Sequence, residues 1–437
     1  MAVVAIVGRP NVGKSTLFNT LTGQDRAIVG PERGITRDRI YGRWIIDDVL
    51  EADLIDTGGF DTIDDNPFAR SMRDQTLTAI EGADIILCVF DSRTGINRDD
   101  EELVGLLRPS KTPVVYVANK VDDPNNVNSL SLLYETGLDD FVKISAKRRS
   151  GVKELASRVK GFIGGFADRT VGDESDAVCV SILGRPNVGK SLLLNRIIGQ
   201  DRAIVSPEAG TTRDYVDIRV RRSDREYMFV DTAGIRRKSR IDDNIERLSV
   251  MRSIKTVTRS HVSLMLIDPR EGLTEQDKRL CSIIMDHGRP FVLVVNKSDL
   301  LTPQEKDTIR EDVVYALKYI PDVNVLFTSA LSGKNVHKLY SYIDNLFLRT
   351  TTKITTPKIN KILHGIIDKH PPPLCRGKTL KFFYVTQVST LPPTFRIVTN
   401  QPKAVPVAYS RYLTKSLKKA CGMEGIAVRL HFVGKRS

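Results

Sequence analysis

Apolar residues gather in short, unbroken, β-branched runs along this chain. AVVAIV (2–7), DIILCVF (84–90) and PVVYVAN (113–119) are answered later by AVCVSIL (177–183), VSLMLI (262–267) and PFVLVVN (290–296). Runs of this length without polar alternation read as parallel strands buried on both faces. Helical stretches alternate with them, so each trio predicts a doubly wound, mostly parallel α/β sheet. Such sheets bind ligands beyond the C-terminal ends of their strands.

The two trios are copies. GRPNVGKS at 8–15 returns unchanged at 184–191, and GQDRAIV at 23–29 returns at 199–205. PERGITRD (31–38) matches PEAGTTRD (207–214), LIDTGGF (54–60) matches FVDTAGI (229–235), and VANKVD (117–122) matches VVNKSD (294–299). ISA (144–146) matches TSA (328–330). Repetition in register over this span marks a duplicated domain. GGFADRTVGDESDA (164–177) is glycine-rich, then acidic and without period, and reads as a linker; RTTTKITTPK (349–358) is a second break. The expected division is a first domain over 1–164, a linker over 165–176, a second domain over 177–351 and a third over 352–437.

The repeated loop has the form G-x-x-x-x-G-K-[ST], which wraps backbone N–H groups around the β-phosphate of a nucleotide. Gly8 and Gly13 supply backbone angles that a Cβ would forbid. Lys14 reaches the β- and γ-phosphates, and Ser15 offers a hydroxyl to Mg²⁺. The helix expected from Ser15 to Leu21 points its positive end at the anion. Arg9, Pro10, Asn11 and Val12 complete the first loop. Gly184, Arg185, Pro186, Asn187, Val188, Gly189, Lys190 and Ser191 repeat it.

The base is set by N-K-x-D, here Asn119-Lys120-Val121-Asp122 and Asn296-Lys297-Ser298-Asp299. A carboxylate accepts two parallel hydrogen bonds from guanine, and adenine lacks both donors. A site left with an unmatched buried polar group rejects the wrong ligand by roughly 10⁴-fold or more. Ser145-Ala146 and Ser329-Ala330 are expected to bring backbone to the guanine carbonyl. The D-x-x-G segments are Asp56-Thr57-Gly58-Gly59 and Asp231-Thr232-Ala233-Gly234. Their aspartates are expected to hold Mg²⁺ through its water shell, and Gly59 and Gly234 to face the γ-phosphate. Thr36 and Thr212 are the residues expected to close on Mg²⁺ and the γ-phosphate as a switch. Catalysis would then rest on Lys14, Thr36, Gly59, Lys190, Thr212 and Gly234.

After D-x-x-G, Ras-like enzymes carry a glutamine that orients water. Here Phe60 and Ile235 stand in that place and cannot do so. The expected substitute is a second cation near the phosphates with Asn11 and Asn187 as oxygen ligands; the alternative is that each Asn only braces its loop.

Charge changes the picture at one end of the chain. The 437 residues carry a formal +13, and residues 352–437 hold sixteen Lys and Arg against two acids, Asp368 and Glu424. The first 351 are balanced, with 50 basic and 51 acidic side chains. A basic module on a neutral body fits a polyanionic partner. The five cysteines, Cys88, Cys179, Cys281, Cys375 and Cys421, show no pairing pattern. With no leader-like segment and no apolar run of about 18 residues, a reduced, cytoplasmic protein is expected; it is read as a monomer.

These motifs in tandem, with D-T-A-G-I-R-R-K at 231–238, resemble the bacterial Der (EngA) family of double GTPases over nearly the full length. KHPPP (369–373), FYVTQVSTLPPTFRIVTN (383–400) and AYSRYLTKSLK (408–418) resemble its C-terminal part. The resemblance implies two tandem P-loop GTPase domains followed by a small α+β KH-like domain packed against them. It implies GTP or GDP with Mg²⁺ at both sites, and hydrolysis stimulated by K⁺, which falls on Asn11 and Asn187 by position. It also implies a role in assembling the large ribosomal subunit through its rRNA, and a stimulating factor is a further candidate partner. Two departures stand out. Leu331 replaces the first copy's Lys147 beside the base, and the tail has no G-x-x-G with basic middle residues. The basic surface is therefore expected to meet structured rRNA phosphates or ribosomal protein rather than to clamp single-stranded RNA. Two other functions stay open from the residues alone: a scaffold with one or both sites non-hydrolysing, and a relative of Era or of tRNA-modifying GTPases.

Overall fold

The computed structural model describes residues 2–23, 41–47, 50–58, 72–122, 138, 140–163, 177–200, 217–222, 225–232, 245–318, 320, 322–375 and 378–434. Thr36, Gly59, Phe60, Thr212, Ala233, Gly234, Ile235 and the linker 165–176 lie outside these residues. The chain forms two compact units, 1–170 with 239–255, and 171–238 with 256–437.

In the first unit the order is β1 (Ala2–Val7), α1 (Lys14–Thr22), β2 (Tyr41–Ile45), β3 (Glu51–Asp56), α2 (Met72–Gly82), β4 (Ile85–Asp91), α3 (Arg98–Leu107), β5 (Val114–Asn119), β6 (Phe141–Lys143) and α4 (Val152–Ile163). These strands line up as β2-β3-β1-β4-β5-β6. All pairings are parallel except β2 with β3. β1 is buried along its whole length because it is flanked by β3 and β4 and covered on its faces. Its apolar run thus becomes the centre of a core that includes Ile6, Phe18, Leu54, Leu87 and Val117. Chain order reverses direction across the sheet at β1, so the loop after β1 opens at the switch point where such folds take ligands.

The second unit repeats the plan with β7 (Ala177–Leu183), α5 (Lys190–Gln200), β8 (Ile218–Arg222), β9 (Arg225–Phe229), α6 (Ile245–Thr258, from Thr256 onward in this unit), β10 (Val262–Ile267), α7 (Glu275–Asp286), β11 (Phe291–Val295), α8 (Pro303–Ala316), β12 (Asn324–Phe327) and α9 (Lys338–Thr351). Its order, β12-β11-β10-β7-β9-β8, is that of the first sheet. Helices α3 and α7 both start at capping boxes, Asn97 with Asp100 and Thr274 with Asp277. Reciprocal capping satisfies two of the four orphan donors at a helix start.

The same unit ends in a smaller α+β module: α10 (Thr356–Lys369), β13 (Leu374–Cys375), β14 (Lys378–Thr379), β15 (Phe382–Thr390), β16 (Pro393–Thr399), α11 (Val407–Cys421) and β17 (Arg429–Gly434). β15 pairs antiparallel and β17 parallel with β16. Ile359, Leu363, Val385, Phe395, Leu413 and Leu417 form its core. Arg349 at the end of α9 ties the module down, donating to Gly422 O at 2.7 Å and Glu424 O at 2.6 Å. Arg429 donates to Asp286 O at 3.0 Å. Among the described residues no helix is long and apolar enough to cross a membrane.

Candidate functional site

Each GRPNVGKS run connects a buried strand to a helix, β1 to α1 and β7 to α5. The loop conformation needs glycine at two places. Gly8 and Gly184 have φ +150° and +143°, and an added Cβ would stand 2.5 Å from Val89 O or Leu266 O. Gly13 and Gly189 both have φ +97°, with a Cβ falling 2.4 and 2.3 Å from the side-chain nitrogens of Asn119 and Asn296. Asn11 and Asn187 adopt matching left-handed φ of 66° and 64° and are exposed.

Both lysines donate to carbonyls of their own loops. Lys14 Nζ donates to Gly8 O at 2.7 Å and Arg9 O at 2.9 Å. Lys190 Nζ donates to Gly184 O and Arg185 O, both at 2.7 Å. Burial pushes the Lys190 ammonium down to about 8, with the charge of Asp277 opposing the fall. A cation that is buried at Lys14 and half-buried at Lys190 gains from an arriving polyphosphate.

Ser15 Oγ donates to Asp56 Oδ2 at 2.8 Å, and Asp56 Oδ1 accepts the N–H of Gly58 at 3.0 Å. A hydroxyl and a carboxylate side by side are hard oxygen donors of the kind Mg²⁺ uses with retained waters and substrate phosphates. The donor set therefore fits the ion. Ser191 and Asp231 hold the equivalent sequence positions in the second copy. Thr57 is buried, its hydroxyl on Ile6 O at 2.7 Å, and Thr232 is buried as well.

The residues expected on the base side come together around an asparagine. Asn119 Nδ2 donates to Val12 O at 2.9 Å, and its Oδ1 accepts the N–H of Ala146 at 3.0 Å. Asn296 does the same with Val188 O and Ala330 N, at 2.9 and 3.0 Å. One amide thus spaces the phosphate loop from the base loop, and both asparagines are buried. Ala330 takes the same bond as Ala146, with Leu331 exposed beside it. Asp122 accepts Ser145 Oγ at 2.9 Å and also the Arg93 guanidinium. Arg93 first, then Ser145, holds its carboxyl below the usual range. The Ser329 hydroxyl does this for Asp299. Val121 and Ser298 are buried behind these carboxylates.

The motifs alone did not reveal several neighbours. Lys120 Nζ reaches Asp91 Oδ2 at 2.6 Å and Asn11 O at 2.7 Å. Lys297 Nζ reaches Asp268 Oδ2 at 2.5 Å. Asp91 and Asp268 end β4 and follow β10 at matching places, a signal the repeat does contain. Thr20 Oγ1 donates to Ala146 O at 2.9 Å, and Arg196 Nε to Ala330 O at 3.0 Å. Arg9 and Arg185 lean away from the loop mouth: Arg9 Nε lies 2.9 Å from Asp100, and Arg185 Nε 3.1 Å from Asp277. Pro10 and Pro186 are exposed at the loop tips.

Comparison with known proteins bears on this arrangement. A family model described as "50S ribosome-binding GTPase" matches residues 3–120 and again 179–297. A second, the KH-domain-like C-terminal part of EngA bacterial GTPase enzymes, matches 353–432. The chain is 44% identical to GTPase Der of Moorella thermoacetica, covering 98% of both chains. It is 41% identical to GTPase Der of Halothermothrix orenii over 99% of each. A solved structure of Era with MgGDPNP and a 16S ribosomal RNA segment aligns with 60% of this chain and 93% of its own, at 20% identity and a TM-score of 0.32.

Proposed function

The chain belongs to the Der family of double-domain GTPases, and on that premise we propose that its twin sites set how its basic C-terminal module engages the large ribosomal subunit. The protein is a GTP-hydrolysing enzyme. The observation that carries the site assignment is the duplicated amide bridge, Asn119 and Asn296 each tying a phosphate loop to a base loop.

Within each site, Lys14 and Lys190 supply positive charge to the β- and γ-phosphates, and the loop N–H groups at Asn11–Ser15 and Asn187–Ser191 cradle them. Asp122 and Asp299 read guanine, preset by the Ser145 and Ser329 hydroxyls. Ser15 with Asp56, and Ser191 with Asp231, would hold Mg²⁺, whose charge neutralises the phosphates when bound. Thr36, Thr212, Gly59 and Gly234 would close over the triphosphate. With Phe60 and Ile235 unable to orient water, a potassium ion on the exposed Asn11 and Asn187 is the reading we favour for both sites.

Sixteen basic residues over 352–437 support rRNA as the partner, and a ribosomal partner implies the cytoplasm. The division at 1–164, 165–176, 177–351 and 352–437 remains our assignment of the working parts. Two measurements test the proposal. Sedimentation with large subunits should differ between GTP analogue, GDP and no nucleotide, and equal binding in all three refutes the switch. Phosphate release should be faster in KCl than in NaCl at equal ionic strength, and equal rates remove the potassium assignment.

A further inference from the structure

Among the described residues, the two copies differ at the first residue of D-x-x-G. In the first copy β3 runs through Asp56, which is in register with Ile6. In the second, β9 ends at Phe229, and its ladder with β7 stops at Val180 opposite Phe229, with one more bond from Val230 N to Val180 O at 3.0 Å. Asp231 has left the sheet. Its φ is 55°, in the left-handed region. Aspartate tolerates that region at a small cost, which local hydrogen bonds offset.

The holders are identifiable. The Asp231 N–H donates to Asp217 Oδ1 at 2.9 Å, and the Thr256 hydroxyl donates to Asp231 Oδ2 at 2.7 Å. Asp217 is in turn fixed by Arg259 at 2.6 Å. β4 and β10 start at Ile85 and Val262, which pair with the equivalent residues Val4 and Val180. Counting back from them sets Thr256 against Ala79 and Arg259 against Gly82. Asp217, just before β8, stands against Tyr41. Alanine and glycine offer no side-chain hydrogen bond, so the first copy cannot build this network.

We propose that Thr256 and Asp217 are positioning residues that latch Asp231 off its strand, so that the second site grips magnesium and nucleotide only after the latch gives way. The inference rests on the guanine-nucleotide reading above and adds a cation threshold to one copy. A hydroxyl-to-carboxylate bond at 2.7 Å competes directly with the same oxygen's use at the cation's water shell.

The test uses the full chain carrying Lys14→Ala, so that the second site reports. Release of mant-GDP is followed by fluorescence as Mg²⁺ is titrated. Thr256→Val should lower the Mg²⁺ concentration that half-maximally slows release, by about tenfold. Thr256→Ser, which keeps the hydroxyl, should match the parent. Asp217→Ala, which frees the Asp231 N–H by another route, should move the half-point the same way as Thr256→Val. An unchanged or raised half-point in Thr256→Val, or in Asp217→Ala should Thr256→Val not fold, overturns the latch. A parent that binds no mant-GDP refutes the nucleotide reading itself and the latch with it, whereas one that holds mant-GDP regardless of Mg²⁺ leaves that reading standing and overturns the latch.

Discussion

The side-chain oxygen of Asn119 accepts the backbone N–H of Ala146 at 3.0 Å, while its nitrogen holds Val12 O at 2.9 Å. One buried amide thereby fixes the distance between two loops that are 107 and 27 residues from it in sequence. Asn119→Ala leaves a buried donor and a buried acceptor without partners, at about 1–3 kcal/mol each. Calorimetric unfolding without nucleotide should show the first unit weakened and the second unaffected. Asn296→Ala should give the reverse pattern.

Gly13 cannot accept a side chain. Its φ of +97° is strained for any L-residue, and a Cβ would meet Asn119 Nδ2 at 2.4 Å. Gly13→Ala should cost at least about 2 kcal/mol and abolish nucleotide binding at one site only. Equilibrium titration should then find one site where the parent has two.

Proton uptake should accompany binding at the second site. With Lys190 held at about 8 instead of 10.5, the folded, empty protein binds fewer protons than the unfolded chain between those pH values. The cost of burying the ammonium is full below pH 8 and is relieved as pH climbs through that window. A polyphosphate restores the charge. Nucleotide affinity should therefore fall above pH 8, by up to about tenfold per unit. Calorimetry of Lys14→Ala at pH 9 in buffers of different ionisation heat should show close to one proton taken up per nucleotide. No uptake would contradict the role of Lys190.

Arg93 sits on the carboxylate that we propose reads the base. Arg93→Ala should raise the Asp122 pKa and strengthen guanine nucleotide binding at the first site by less than about fivefold, with a weaker salt dependence. Competition binding at low and high KCl measures both effects. A loss of affinity would mean that Arg93 contacts the nucleotide.

Much of this was legible in the chain because close packing forces local choices. The six apolar residues of β1 are buried on both faces and could hardly be anything else. Gly13 and Lys14 are dictated by a turn too tight for side chains. What escaped were meetings across long sequence separations. Nothing near Asn119 announces that its amide will reach Val12, and nothing near Arg9 says that its guanidinium will go to Asp100 at the start of α3. Thr256 was invisible for a sharper reason. It matters only because β9 stops two residues short of Asp231, and two matching D-x-x-G segments gave no hint that their strands end differently.

The most direct test of the account is isothermal calorimetry of the intact chain with Mg²⁺, titrating GDP and then ADP. Twin guanine sites predict two GDP bound per chain, one after Lys14→Ala and one after Lys190→Ala, with ADP held at least about 10³-fold more weakly. Equal affinity for ADP, or a single GDP per chain unaffected by either substitution, would contradict it.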